Sequence, residues 1–178
     1  MCYTFNEMEM NTAKKTAYLG MLTSLAVIMG YVEYLIPVRF PVPGVKLGLA
    51  NIVTVFVLYR YGFRPALAVS LVRILISGLL FGSVSGILYS LTGMLFSLPV
   101  MAQMKNRSCF SVIGVSAAGA ALFNTGQIAA AMAAAGPVIV RYLPVLLIAG
   151  DITGIIIGAI DLILIRRLSS VRISNEIP

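Results

Sequence analysis

Six long apolar stretches, separated by short polar segments, leave this chain few folds to choose from. In lipid every backbone N–H and C=O must be paired within a helix or a closed barrel. Unbroken apolar runs of helix length, rather than ten-residue alternating ones, decide for helices. Composition agrees: 60% of the 178 residues are hydrophobic, 11% are charged, and the mean hydropathy is +0.99. A soluble domain of this size needs far more polar surface. The expected fold is therefore an all-α integral membrane protein, a six-transmembrane-helix bundle over residues 16–168, flanked by cytoplasmic polar tails at 1–15 and 169–178.

The predicted spans are 16–36, 47–61, 65–80, 84–101, 110–135 and 142–165. Pro37 stops the first, Gly62 and Gly82 bound the third, Gly136-Pro137 ends the fifth, and Arg166-Arg167 the sixth. The second is short for a bilayer that takes about 20 helical residues, so part of its approach is expected to be irregular.

Charge sets the orientation. Lys14, Lys15, Arg60, Arg64, Lys105, Arg107, Arg166, Arg167 and Arg172 fall on alternate loops and make nine of the thirteen basic residues; Arg39, Lys46 and Arg141 fall on the opposite ones. By the positive-inside rule both termini are cytoplasmic, in the cytoplasmic membrane. The net charge of +7 is thus a topology signal, and its dispersal over loops excludes a nucleic-acid partner. The first fifteen residues lack the apolar core of a cleavable signal. Cys2 and Cys109 fall on the cytoplasmic side as free thiols. With no histidine, zinc, haem and Ser-His-Asp chemistry are excluded, and no metal or cofactor is expected.

Small residues mark where helices approach. Gly150, Gly154 and Gly158 lie four apart and form one narrow ridge on the sixth span, with Asp161 on the same arc and Asp151 at its edge. Packing inside the bundle accounts for such a ridge; docking of a partner is the alternative. Ala17, Gly20 and Ser24 share a face of the first span, open to the same two readings.

Ionisable groups inside spans are expensive. Glu33 lies near the outer end of the first span. Arg73 lies about 12 Å into the third from inside, and Asp151 about 13 Å into the sixth from outside. Those depths are close enough for an Arg73–Asp151 ion pair, either a structural staple or a coupling device. Ser70, Arg73 and Ser77 share one face of the third span as a buried polar stripe. Asn124 and Gln127, three apart, share a face of the fifth; Asn51 is near the outer end of the second; Tyr89 and Ser85 share a face of the fourth. Polar groups from four helices thus converge on the outer half, as in a ligand pocket between helices, though each alone could be an interhelical hydrogen bond.

Residues 39–51, R-F-P-V-P-G-V-K-L-G-L-A-N, are the most distinctive segment. Pro41, Pro43 and Gly44 prevent regular structure, and Lys46 sits where the chain re-enters the membrane beside a helix start. Backbone N–H groups there, with an ammonium, suit an anion; an ordinary loop with a snorkelling lysine is the plainer reading.

These residues also carry a likeness. P-G-V-K-L-G-L-A-N-I at 43–52 resembles the signature of the Gx transporter family, also labelled heptaprenyl diphosphate synthase component I. E-Y-L-I-P at 33–37, R-I-L-I-S-G-L-L-F-G at 73–82, L-Y-S-L-T-G at 88–93, N-T-G-Q at 124–127, Y-L-P-V-L at 142–146 and G-D-I-T-G at 150–154 extend it over 16 to about 168. One departure stands out: a histidine is expected before the Asn of N-x-G-Q, and this chain has Phe123. The family resembles the S components of energy-coupling-factor transporters. That likeness implies capture of a vitamin-like small molecule on the outer side. It also implies docking through Ala17, Gly20 and Ser24 on a transmembrane coupling subunit driven by ATPases. Relatives are associated with flavin-dependent extracellular electron transfer and quinone metabolism.

Two function classes compete: a substrate-binding transport subunit, and a membrane subunit of heptaprenyl diphosphate or quinone synthesis. Prenyl synthases hold magnesium diphosphate with clustered aspartates; this chain has only Asp151 and Asp161, with no D-D-x-x-D, so it is at most a non-catalytic accessory there. It has no G-x-x-x-x-G-K-[ST] phosphate loop, so ATP hydrolysis must come from partners. A scaffold for an electron-transfer module is the third option. The expected ligand is amphipathic, held by Glu33, Lys46, Asn51, Tyr89, Asn124 and Gln127.

Overall fold

Glycine and serine punctuate the apolar runs, and several helices begin or end at them, at Gly62, Ser83, Ser111 and Gly136. The structure, a computed structural model, describes residues 12–35, 49–107 and 109–175. Six α-helices follow in order: α1 (Thr12–Leu35), α2 (Asn51–Tyr61), α3 (Phe63–Leu80), α4 (Val84–Lys105), α5 (Val112–Ala135) and α6 (Leu143–Asn175). A 3₁₀ segment, Pro137–Tyr142, leads into α6. There is no strand among the described residues. All the helices but α2 are long and apolar enough to cross a membrane, so the chain is a multi-pass helical membrane protein. The predicted spans match to within a few residues, except that α6 runs on to Asn175 through what sequence suggested was a polar tail.

Local chemistry explains the boundaries. Ser83 and Ser111 cap α4 and α5, each hydroxyl accepting from a backbone N–H three residues on, Gly86 and Gly114, at 3.1 Å. Gly62 alone joins α2 to α3. Its φ of 88° suits glycine, and its N–H donates to the Leu58 carbonyl at 3.2 Å. Gly136, at φ 91°, closes α5 in the same way on Met132.

The helices pack in a ring. α2 lies on α3, α3 on α4, α4 on α5, α5 on α6, and α6 returns to α2; α1 leans on α3 and α2 from outside. Most of α1 is exposed, with only Ala26, Gly30 and Glu33 buried, as suits a helix facing lipid or a partner. The tightest seams use small residues. A Cβ on Gly154 would stand 2.8 Å from the Ala117 Cα, and one on Gly158 2.7 Å from the Ile113 Cα. The α6 glycine ridge therefore faces α5, inside the bundle. Between α4 and α5, a Cβ on Gly126 would stand 2.8 Å from the Gly93 Cα. Without a hydrophobic force between helices in lipid, such backbone contact is what holds them.

Candidate functional site

α2 positions the site by being short. Its eleven residues rise about 16 Å, half of a bilayer core of about 30 Å. Its C-terminus joins α3 through Gly62, so Asn51 stands about 16 Å from that end of the bundle. The Thr54 and Ser70 hydroxyls meet at 3.1 Å and fix that register. Gly78 packs against Ile87, Gly93 against Phe123 and Gly126, and Gly150 against Asn124. Carried round the ring, these contacts put Asn51, Arg73 and Gln127 within about one helical turn of one depth.

At that level the polar groups have unequal fates. The Asn124 Nδ2 donates 2.8 Å to the Leu146 carbonyl, stapling α5 to α6. Gln127 is 0% exposed, and neither its Oε1 nor its Nε2 has a hydrogen-bond partner. The Nε of Arg73 and the hydroxyl of Ser77 are likewise buried without a partner. Glu33 is buried on α1 and acts on Arg73 electrostatically. Asn51 opens α2, partly exposed, and Tyr89 is buried against Ala131 and Ile139.

The expected Arg73–Asp151 pair is not the one the structure makes. Asp151 is exposed on α6, which packs on α5 and α2, whereas α3 packs on α1, α2 and α4. The charged neighbour of Arg73 is Glu33. Arg73 and Asp151 have similar expected depths, but the helix order around the ring separates them. Of the stripe of Ser70, Arg73 and Ser77, the two serines are buried and Arg73 is half-buried, with Ser70 turned to α2 and Ser77 beside Gly30 of α1. Ser85, expected beside Tyr89, is exposed. Lys46 lies outside the described residues. Ala17, Gly20 and Ser24 are exposed, and a Cβ on Gly20 would meet nothing within 4 Å.

A second buried polar group, toward the other end of the bundle, was not read as a site from sequence. Asp161 is 0% exposed, and neither carboxylate oxygen has a hydrogen-bond partner. It interacts electrostatically with Tyr59 of α2. Ser116 of α5, also fully buried with an unpartnered hydroxyl, abuts Gly158, one turn along α6 from Asp161. Lys105 donates to the Leu58 carbonyl at 2.8 Å and stands 5.7 Å from the Tyr59 ring centre. The available signal was the place of Asp161 on the glycine arc, which marked it as inward-facing.

Residues 22–164 match the family described as heptaprenyl diphosphate synthase component I. No curated protein and no solved structure matches the chain.

Proposed function

The chain belongs to the heptaprenyl diphosphate synthase component I family, and from that premise we propose that it is a non-catalytic membrane subunit, S-component-like, that captures a small amphipathic ligand from the outer side. The observation that carries this reading is the mid-depth start of α2, level with the unpartnered Gln127 amide and Arg73 Nε. A helix N-terminus favours negative charge. An amide and a guanidinium Nε buried without hydrogen-bond partners are costly unless a ligand completes them. Together with Asn51, Glu33 and Lys46, they suit a molecule with an anionic or amide-rich head and an apolar body. The exposed small face of Ala17, Gly20 and Ser24 supports docking on a transmembrane coupling subunit.

Native mass spectrometry of the purified protein tests the proposal directly. A co-purified small molecule is expected, and Gln127→Ala should weaken its rebinding about tenfold or more while the helical fold is kept, since one buried polar contact is worth about 1–3 kcal/mol. Absence of any co-purified molecule, or unchanged affinity in Gln127→Ala, would count against the site. The family description favours a second reading, in which the subunit serves a partner component of prenyl diphosphate synthesis. Co-purification of a soluble prenyl synthase instead of ATPases would select it.

A further inference from the structure

We propose that Asp161, Ser116 and Tyr59 form a site for one monovalent cation, a proton or an alkali metal ion, where α2, α5 and α6 meet. The argument starts from a cost. A bare carboxylate without hydrogen bonds or an ion partner, in a fully buried position of a membrane bundle, is strongly destabilising. Asp161 is in that position: fully buried, with both oxygens unpartnered. A second group points to the same place. The Ser116 hydroxyl is equally buried and equally unpartnered, and its Cβ would stand 2.9 Å from a Cβ on Gly158. Gly158 and Asp161 are three apart and so share a face of α6. On α2, which packs against α6, the buried Tyr59 interacts electrostatically with Asp161.

The donor set specifies the occupant. Carboxylate and hydroxyl oxygens are hard ligands. There is one carboxylate, and no group of three or more His, Cys, Asp or Glu side chains that could hold a metal occurs among the described residues. A single positive charge neutralises Asp161, whereas a divalent ion would leave a net charge buried. The charges around it do not do this already. α5 carries no titratable side chain. On α4, Lys105 is hydrogen-bonded to the backbone of α2 and makes no hydrogen bond to Asp161. On α2, Arg60 follows Tyr59, and on α6, Arg166 and Arg167 are exposed one turn and more beyond. Occupancy would tie α2 to the α5–α6 pair where the ring already closes. The site is independent of the ligand reading above.

The test is thermal unfolding of the whole protein in detergent, followed by circular dichroism, in sodium chloride and in choline chloride of equal ionic strength, at about pH 6 and about pH 9. If the occupant is an alkali ion, sodium raises the midpoint saturably at the higher pH and less at the lower, where protons compete. If it is a proton, the midpoint falls from the lower to the higher pH in both salts, because the folded state then has to give up a proton that the unfolded state has already released. Either response should be lost in Asp161→Asn. A midpoint indifferent to both sodium and pH, or an Asp161→Asn variant that responds like the wild type, would overturn the proposal. Should Asp161→Asn fail to accumulate, Ser116→Ala and Tyr59→Phe decide. Each should shift the sodium half-saturation or the pH midpoint severalfold, and wild-type behaviour in both overturns the site.

Discussion

Asn124 and Gln127 lie three residues apart on one face of α5, yet only Asn124 bonds the neighbouring helix. Its Nδ2 reaches the Leu146 carbonyl at 2.8 Å, whereas both polar atoms of Gln127 are buried without partners. Opposite effects on stability are therefore expected. Asn124→Ala removes an interhelical bond and should cost about 1–3 kcal/mol, seen as a lower unfolding midpoint in detergent. Gln127→Ala removes an unsatisfied amide and should leave the midpoint unchanged or raised. Equal losses in the two variants would contradict this assignment. Spacing identified both residues as inward-facing, but could not tell the staple from the free amide, because the distinguishing atom is a backbone carbonyl on another helix. The same limit explains Arg73, whose depth was legible and whose acidic neighbour, Glu33 on α1, was not.

Among the elements, α6 and α1 both carry small-residue faces that look alike in sequence. The structure gives them different surroundings: Gly154 meets Ala117 and Ala120 of α5, whereas Gly20 has nothing within 4 Å. Gly154→Leu should push α5 and α6 apart and cost about 1–3 kcal/mol or more, since overpacking a closed seam forces the backbone to move. Its readout is loss of monodisperse protein on size exclusion. Gly20→Leu combined with Ser24→Leu should leave folding and ligand binding intact, and remove co-purification of a transmembrane partner if α1 is the docking face. Unaltered co-purification would exclude α1 from that role. α2 is the other element whose meaning is tertiary. Sequence showed a span too short for the bilayer; the Gly62 link and the Thr54–Ser70 contact set its register against α3, with Asn51 about level with Arg73.

For the whole molecule, the two ends of the bundle are distinguished by charge. The helix ends flanking the α2–α3 and α4–α5 connections carry Arg60, Arg64 and Lys105, the α4–α5 connection carries Arg107, and the 3₁₀ segment at the other end carries Arg141. With Cys2 replaced by serine, Cys109, exposed on the α4–α5 connection, should resist a membrane-impermeant maleimide applied to intact cells. A cysteine at Val138, 63% exposed, should react. The reverse pattern would invert the bundle and put the proposed ligand site on the inner face. Sequence alone determined that the chain is an apolar helical membrane protein, most of its helix boundaries, and that Asn124, Gln127 and the α6 glycine ridge turn inward. Those properties depend on how each side chain partitions and on a helical period that is local to the chain. Only the tertiary structure decided which helices are neighbours. That order of packing separates Arg73 from Asp151 and brings it under the charge of Glu33 on α1. It also turns the glycine ridge onto α5, and it leaves Asp161 and Ser116 buried with their oxygens unpaired. Neighbour relations arise from backbone contacts between segments distant in sequence, and no local pattern of residues encodes them.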